Sequence, residues 1–185
     1  METLLAEARK TTTPKGKRDL ALIRLMHDLG LRRGEVVALD LADLDLEDGK
    51  VAIVGKGKSE KTCVTLNAPT TSALADWVAA RGEWPGPLFV RLDRAAGPGH
   101  PTRLDAANVA RASKKLGLKA GLSRATNPHG LRHQGITRAL DLAHGDVRKV
   151  KRFSRHAKLE TLLRYDDNRR DEAGAIAKML GEDSE

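Results

Sequence analysis

The chain has one cysteine, Cys63, among its 185 residues. That excludes an intrachain disulfide and any zinc site built on a cysteine cluster, and it suits a reducing, intracellular setting. Aromatic residues are scarce, with two Phe, two Trp and one Tyr. Binding that stacks many unpaired bases on rings is therefore disfavoured. No window approaches the ~18 consecutive apolar residues of a membrane span, and Met1 is followed by a polar, charged stretch with nothing to suggest export. A cytoplasmic protein with no membrane partner is expected. The phosphate-cradling glycine motifs of nucleotide hydrolases are missing, as is any metal-ligand cluster, so no cofactor and no metal are expected.

What the chain does have is positive charge. Its 33 Lys and Arg outweigh 25 Asp and Glu, for a net charge of +8 and a pI near 9.8. A polyanionic partner follows, nucleic acid first, and with so few rings the backbone of a duplex suits better than single strands. The surplus is concentrated toward the C-terminus: Ser123 to Arg170 holds twelve Lys and Arg against five Asp and Glu.

The length fits one domain with a real hydrophobic core. Residues 1–17 read as a polar lead-in. From Arg18, the spacing of Leu22, Leu25, Met26 and Leu29 predicts a helix capped by Gly30. A short helix is expected over Arg33 to Leu39. Three β-prone runs follow, Leu44 to Leu46, Val51 to Val54 and Thr62 to Leu66, separated by turn-forming stretches, which predicts a small antiparallel three-stranded sheet. Helices are expected over Pro69 to Arg81 and Arg103 to Leu116, with mostly loop between them. Asn127-Pro128 opens a helix running to about Ala143, Asp146 caps another through Phe153, and Ala173 to Leu180 forms a last helical patch. The segment Lys158 to Tyr165 carries Leu159, Leu162 and Leu163 on one side.

Cleaving a phosphodiester without a metal needs cations on the nonbridging oxygens, a nucleophile, a group to manage its proton, and an acid for the leaving oxygen. Candidates for each occur here. Gly30-Leu31-Arg32-Arg33-Gly34-Glu35 sets an arginine at a helix start beside a carboxylate. Gly55-Lys56-Gly57 puts a lysine on a hairpin tip, with Lys58 and Lys61 as competitors. His129 and Arg132 lie three apart, on one helix face. His156 precedes the only tyrosine, Tyr165, by nine positions. Each signal alone is weak, because such residues are most often solvated surface or, for the tyrosine, core.

Taken in order, Gly-Leu-Arg-x-x-Glu, Gly-Lys-Gly, Pro-His-x-Leu-Arg-His, Arg-His and a Tyr nine positions on resemble the catalytic domain of the tyrosine recombinases, the phage integrase family. The resemblance covers about Arg18 to Tyr165, and Pro128 to His133 is its most specific block. It implies an α+β fold, mainly helical with the small sheet near residues 44–66, and a catalytic domain over 18–170 followed by a tail, 171–185, with a possible docking helix. It implies site-specific DNA recombination or integration through a 3′-phosphotyrosyl intermediate, on double-stranded DNA. Arg32 and Arg132 would clamp the scissile phosphate. Lys56 would protonate the leaving 5′ oxygen, His129 would take the proton of the nucleophile Tyr165, and His156 would hydrogen-bond a phosphate oxygen. Glu35 would support Arg32, His133 would pack or hydrogen-bond behind the site, and Arg155 and Lys58 would contact DNA. Self-association on DNA as a synaptic tetramer, from a free monomer, and a place on the nucleoid are implied as well.

Full-length members resemble a clamp whose N-terminal, core-binding domain is roughly a hundred residues, and this chain is expected to lack it. In the tail, Ala173, Ile176, Ala177, Met179 and Leu180 form an apolar stripe that could dock on a neighbour or on its own domain. His27, His100 and His144 show no partner pattern and are expected at the surface. Two other readings remain: a type IB topoisomerase-like nicking-closing enzyme, and a non-catalytic DNA-binding regulatory remnant.

Overall fold

A computed structural model describes residues 1–55, 57, 59–92, 102–122, 126–156, 158–162 and 172–182. Chain order among these is α1 (Glu2–Arg9), α2 (Pro14–Asp28), α3 (Arg33–Ala38), a 3-10 turn (Leu41–Asp43), β1 (Leu44–Asp45), β2 (Lys50–Val54) and β3 (Lys61–Thr65). Then come α4 (Ala68–Arg81), α5 (Ala106–Lys119), α6 (Pro128–Leu142), α7 (Val147–Ser154) and α8 (Glu172–Glu182). The chain divides into two compact units, Met1–Ile136 and Thr137–Glu185.

In the first unit α2 is the central post, packed by α1, α3, α4 and α5. Its apolar residues Leu22, Leu25, Met26 and Leu29 are all buried, as their spacing predicts. Pro14 occupies the first turn and Thr13 accepts from the Gly16 N–H at 3.2 Å, so the helix starts earlier than Arg18. The segment expected as a lead-in is corrected by the structure. Residues 2–9 are helical, Leu4 and Leu5 join the common core, and Ala8 is buried as well. A helix this short is marginal alone; burial of that stripe holds it.

The sheet is antiparallel in the order β1-β2-β3, with Val54 opposite Lys61 and Ala52 opposite Cys63. Along β2, Val51 and Ile53 alternate into the core. β3 is mostly exposed, Cys63 included. The 3-10 turn and β1 stand beside β2.

The stretch after α4 is irregular, as expected, yet Leu88, Phe89 and Val90 are buried. Trp77 stacks on Phe89 with ring centroids 6.4 Å apart, and its Nε1 donates to the Leu88 carbonyl at 2.9 Å. Buried irregular backbone must find partners for its carbonyls, and arginines supply them. Arg18 donates to Val90 O at 3.0 Å, Arg81 to Pro87 O at 2.7 Å, and Arg103 to Val37 O and Leu39 O at 2.8 and 3.0 Å. Burial lowers the pKa of Arg81, the cost of using a cation this way. Arg103 is occupied before α5, which opens at Ala106 under the Asp105 cap.

α2 is tied to α4 through Asp28. This carboxylate accepts from Arg24 at 2.9 Å, from His27 Nδ1 at 2.6 Å and from Thr70 Oγ1 at 2.9 Å. His27 is therefore a partnered residue and not the isolated surface histidine expected. His144 is exposed, and His100 lies outside the described residues. An acidic residue in the last turn opposes the helix dipole, and that misfit is the signal in sequence that Asp28 needs dedicated partners.

Burial alone would raise the Asp28 pKa, but the hydrogen bonds from His27, Arg24 and Thr70 outweigh it and bring it from 3.8 to about 2. A carboxylate depressed on folding stabilises fully above its unfolded value and loses that contribution as pH falls through the folded one. Urea unfolding is expected to show a loss on the order of 2 kcal/mol from this group between about pH 4 and about pH 2. Asp28→Asn, less stable at neutral pH, should be flatter over that window. Equal slopes in the two proteins would mean these partners do not hold Asp28 ionised.

Candidate active site

After α2 the chain turns at Gly30, whose φ is +58°, and the Leu31 N–H returns to the Leu25 carbonyl at 3.2 Å. Glycine takes that left-handed conformation without a Cβ penalty. The turn delivers Arg32 to the N-cap of α3. Glu35 then makes two contacts with the same residue: one oxygen accepts from the Arg32 N–H at 2.7 Å and the other from its guanidinium at 2.8 Å. The Glu35 side chain is 4% exposed and that of Arg32 30%. A buried carboxylate thus pre-orders a guanidinium that still reaches solvent. Arg33 is exposed. Of the two neighbouring arginines, Arg32 is the one held in place.

α6 begins as its sequence predicts, with Asn127 accepting from the Gly130 N–H at 2.8 Å and Pro128 in the first turn. His129 is exposed on it, while Arg132, one turn on, is 4% exposed. The Arg132 guanidinium donates to the carbonyl of Gly30. Burying a cation costs several kcal/mol unless donors and charge are matched, so this contact is a strong constraint. It brings Arg132 to the turn that also positions Arg32, although Arg132 and Gly30 are 102 residues apart. His133 is exposed.

Around the β2–β3 connection, Gly57 is exposed with φ +75°. Lys56 and Lys58 lie outside the described residues. Lys61, the third candidate, is paired with the buried Asp43, and that hydrogen bond and charge raise its pKa. Lys61 is therefore committed to the sheet base.

In the second unit, Asp146 accepts from the Arg148 and Lys149 N–H groups at 3.1 and 3.0 Å and starts α7. The helix ends at Arg155, which sits in the left-handed region with φ +54° and donates to the Phe153 carbonyl at 2.9 Å. His156 Nδ1 lies 3.0 Å from the hydroxyl of the fully buried Ser154, which fixes the ring. Tyr165 lies outside the described residues. So does the end of the apolar run from Lys158, of which Leu162 is buried. In α8, Met179 and Leu180 are exposed. Among the described residues no group of three His, Cys, Asp or Glu could hold a metal ion, and no helix is long and apolar enough to cross a membrane.

A model of the phage integrase family matches residues 1–172. The chain belongs to that family. The integrase match includes residues 1–17, in keeping with the helical, buried α1. Among curated phage integrase relatives, the tyrosine recombinase slr0733 of Synechocystis sp. is 42% identical over 170 residues, covering 91% of this chain and 53% of that protein. The tyrosine recombinase XerC of Actinobacillus pleuropneumoniae is 36% identical over 153 residues, 82% of this chain and 48% of its own. The chain spans about half the length of the curated relatives it matches. Among solved structures, the XerH site-specific recombinase bound to a palindromic difH substrate superposes with a TM-score of 0.77 at 26% identity, over 97% of this chain and 51% of XerH. The XerA recombinase shares the fold, with a TM-score of 0.74 at 24% identity over 98% of this chain and 62% of XerA. A mainly helical fold with one small antiparallel sheet, that of the tyrosine recombinase catalytic domain, is the fold expected from the sequence.

Because Glu35 both caps α3 and holds Arg32, Glu35→Ala is expected to cost about 2 kcal/mol in denaturant unfolding. Arg33→Ala should change stability by less than about 0.5 kcal/mol. Comparable losses in both variants would contradict the pinning of Arg32.

Proposed function

We propose that this chain is the catalytic part of a site-specific recombinase or integrase that breaks and rejoins double-stranded DNA through a 3′-phosphotyrosyl intermediate, without a metal. The observation that carries the reading is the convergence of two arginines on one turn: Arg132 on the Gly30 carbonyl, and Arg32 two residues further, held by Glu35. Family membership and the likeness to relatives named as tyrosine recombinases support it.

The roles are those the family resemblance implies, and they meet what the chemistry needs. Attack by the Tyr165 hydroxyl on the scissile phosphorus builds charge on the nonbridging oxygens, and Arg32 and Arg132 neutralise it with planar, multidentate donors. His129 takes the phenolic proton, and His156 hydrogen-bonds a phosphate oxygen. Lys56 gives a proton to the 5′ oxygen as it leaves. A phosphotyrosine bond replaces a phosphodiester, and the freed 5′ hydroxyl of a second strand reverses the step, so no nucleotide hydrolysis is required. Glu35 keeps Arg32 aligned, His133 supports the site from behind by packing or hydrogen bonding, and Arg155 and Lys58 add phosphate contacts. The reading extends to a synaptic tetramer formed on DNA from free monomers, at work on the nucleoid in the cytoplasm.

A nicked suicide duplex bearing the recognised site is expected to trap a covalent adduct with the parent protein and none with a folded Tyr165→Phe. Persistence of the adduct in that variant would remove Tyr165 from the mechanism. Arg132→Ala should slow adduct formation by roughly 10²- to 10³-fold.

Sulfur in place of the 5′ bridging oxygen leaves without a general acid, so a Lys56→Ala chain should cleave such a duplex at close to the parental rate while remaining slow on the oxygen substrate. Rescue of Lys58→Ala instead would move the acid to Lys58.

A further inference from the structure

Arg132 and Gly135 are three residues apart on α6 and face the same way. Both meet the end of α2. Arg132 donates to the Gly30 carbonyl. A Cβ added at Gly135 would collide with the carbonyl oxygen of His27, with the carbonyl carbon at 3.0 Å and Cα at 3.3 Å. The two residues they meet, His27 and Gly30, are themselves three apart. The helices are therefore registered at two matched points, one a guanidinium and the other a bare Cα.

The obstruction at Gly135 is entirely main chain. At Gly82 the neighbour is the Trp84 side chain, which can move. The His27 carbonyl cannot, because it belongs to the last turn of α2, which the His27–Asp28–Arg24–Thr70 hydrogen bonds tie to α4. A methyl at position 135 must push α6 away from α2, and Arg132 travels with α6.

We infer that Gly135 is a positioning residue: its missing side chain sets the distance of α6 from α2, and so the place of the Arg132 guanidinium relative to Arg32. The inference rests on the proposed action of both arginines on one scissile phosphate. A misplacement of about 1 Å in such a pair costs on the order of 10²-fold in rate.

The test compares Gly135→Ala with the parent in single-turnover cleavage of two suicide duplexes. One carries the ordinary scissile phosphate. The other carries a methylphosphonate there, which has lost one charged oxygen and needs less from the arginine pair. Gly135→Ala should cleave the phosphate duplex on the order of 10²-fold more slowly than the parent. On the methylphosphonate the two should agree within a few-fold, with duplex affinity unchanged. Ile136→Val, a change at the adjacent, fully buried residue that loosens the same helix without adding a Cβ, should cleave both duplexes at the parental rate.

Parental cleavage of the phosphate by Gly135→Ala would overturn the inference, as would equal slowing on both duplexes. A Gly135→Ala chain that does not fold while Ile136→Val does would also overturn it, by assigning the glycine to the core in general. Failure of the underlying reading looks different. Arg132→Ala would then cleave the phosphate duplex at the parental rate, or the parent would form no adduct on either duplex, and the inference would fall with it.

Discussion

The end of α2 is the constraint on which the rest of the first unit depends. A helix leaves its last carbonyls without partners inside itself, and here those groups and the turn beyond them are put to use. Gly30 turns the chain so that its own carbonyl meets Arg132, and so that Arg32 becomes the cap of the next helix. Asp28, two residues before Gly30, ties the same turn to α4. One short stretch of main chain thus sets two arginines that the sequence places far apart.

A second theme is the use of arginine as a structural group. Arg18, Arg81, Arg103 and Arg132 all donate to main-chain carbonyls of irregular or terminal segments. A guanidinium has five donors in a fixed plane and keeps its charge at any ordinary pH. It can therefore satisfy several carbonyls where no strand or helix partner exists. Part of the basic surplus is consequently interior scaffolding, and the total charge overstates the cation available to a polyanion.

What the sequence made legible follows from the range of the interactions. α2, the three strands, α4 and the start of α6 were readable because periodicity, turns and caps act within a few residues. Arg32 with Glu35 was readable for the same reason. α1 was missed because eight residues with three buried positions give too short a period to stand out against its charged side chains. The burial of Leu88, Phe89 and Val90 was hidden because irregular segments carry no period, and their partners, Arg18 and Trp77, lie well back in the chain. The Arg132–Gly30 contact, and the approach of Gly135 to His27, join positions about a hundred residues apart. No local pattern encodes them.

The outward face of the sheet has a practical side. Cys63 is exposed in the middle of β3, opposite Ala52 and two residues from the Lys61–Asp43 pair that anchors the strand. Since it is the sole thiol in the chain, a maleimide dye or spin label attached to it reports from one defined place without any cysteine having to be removed. That place is the fixed root of the β2–β3 connection, which makes the native chain ready for distance measurements against labelled DNA.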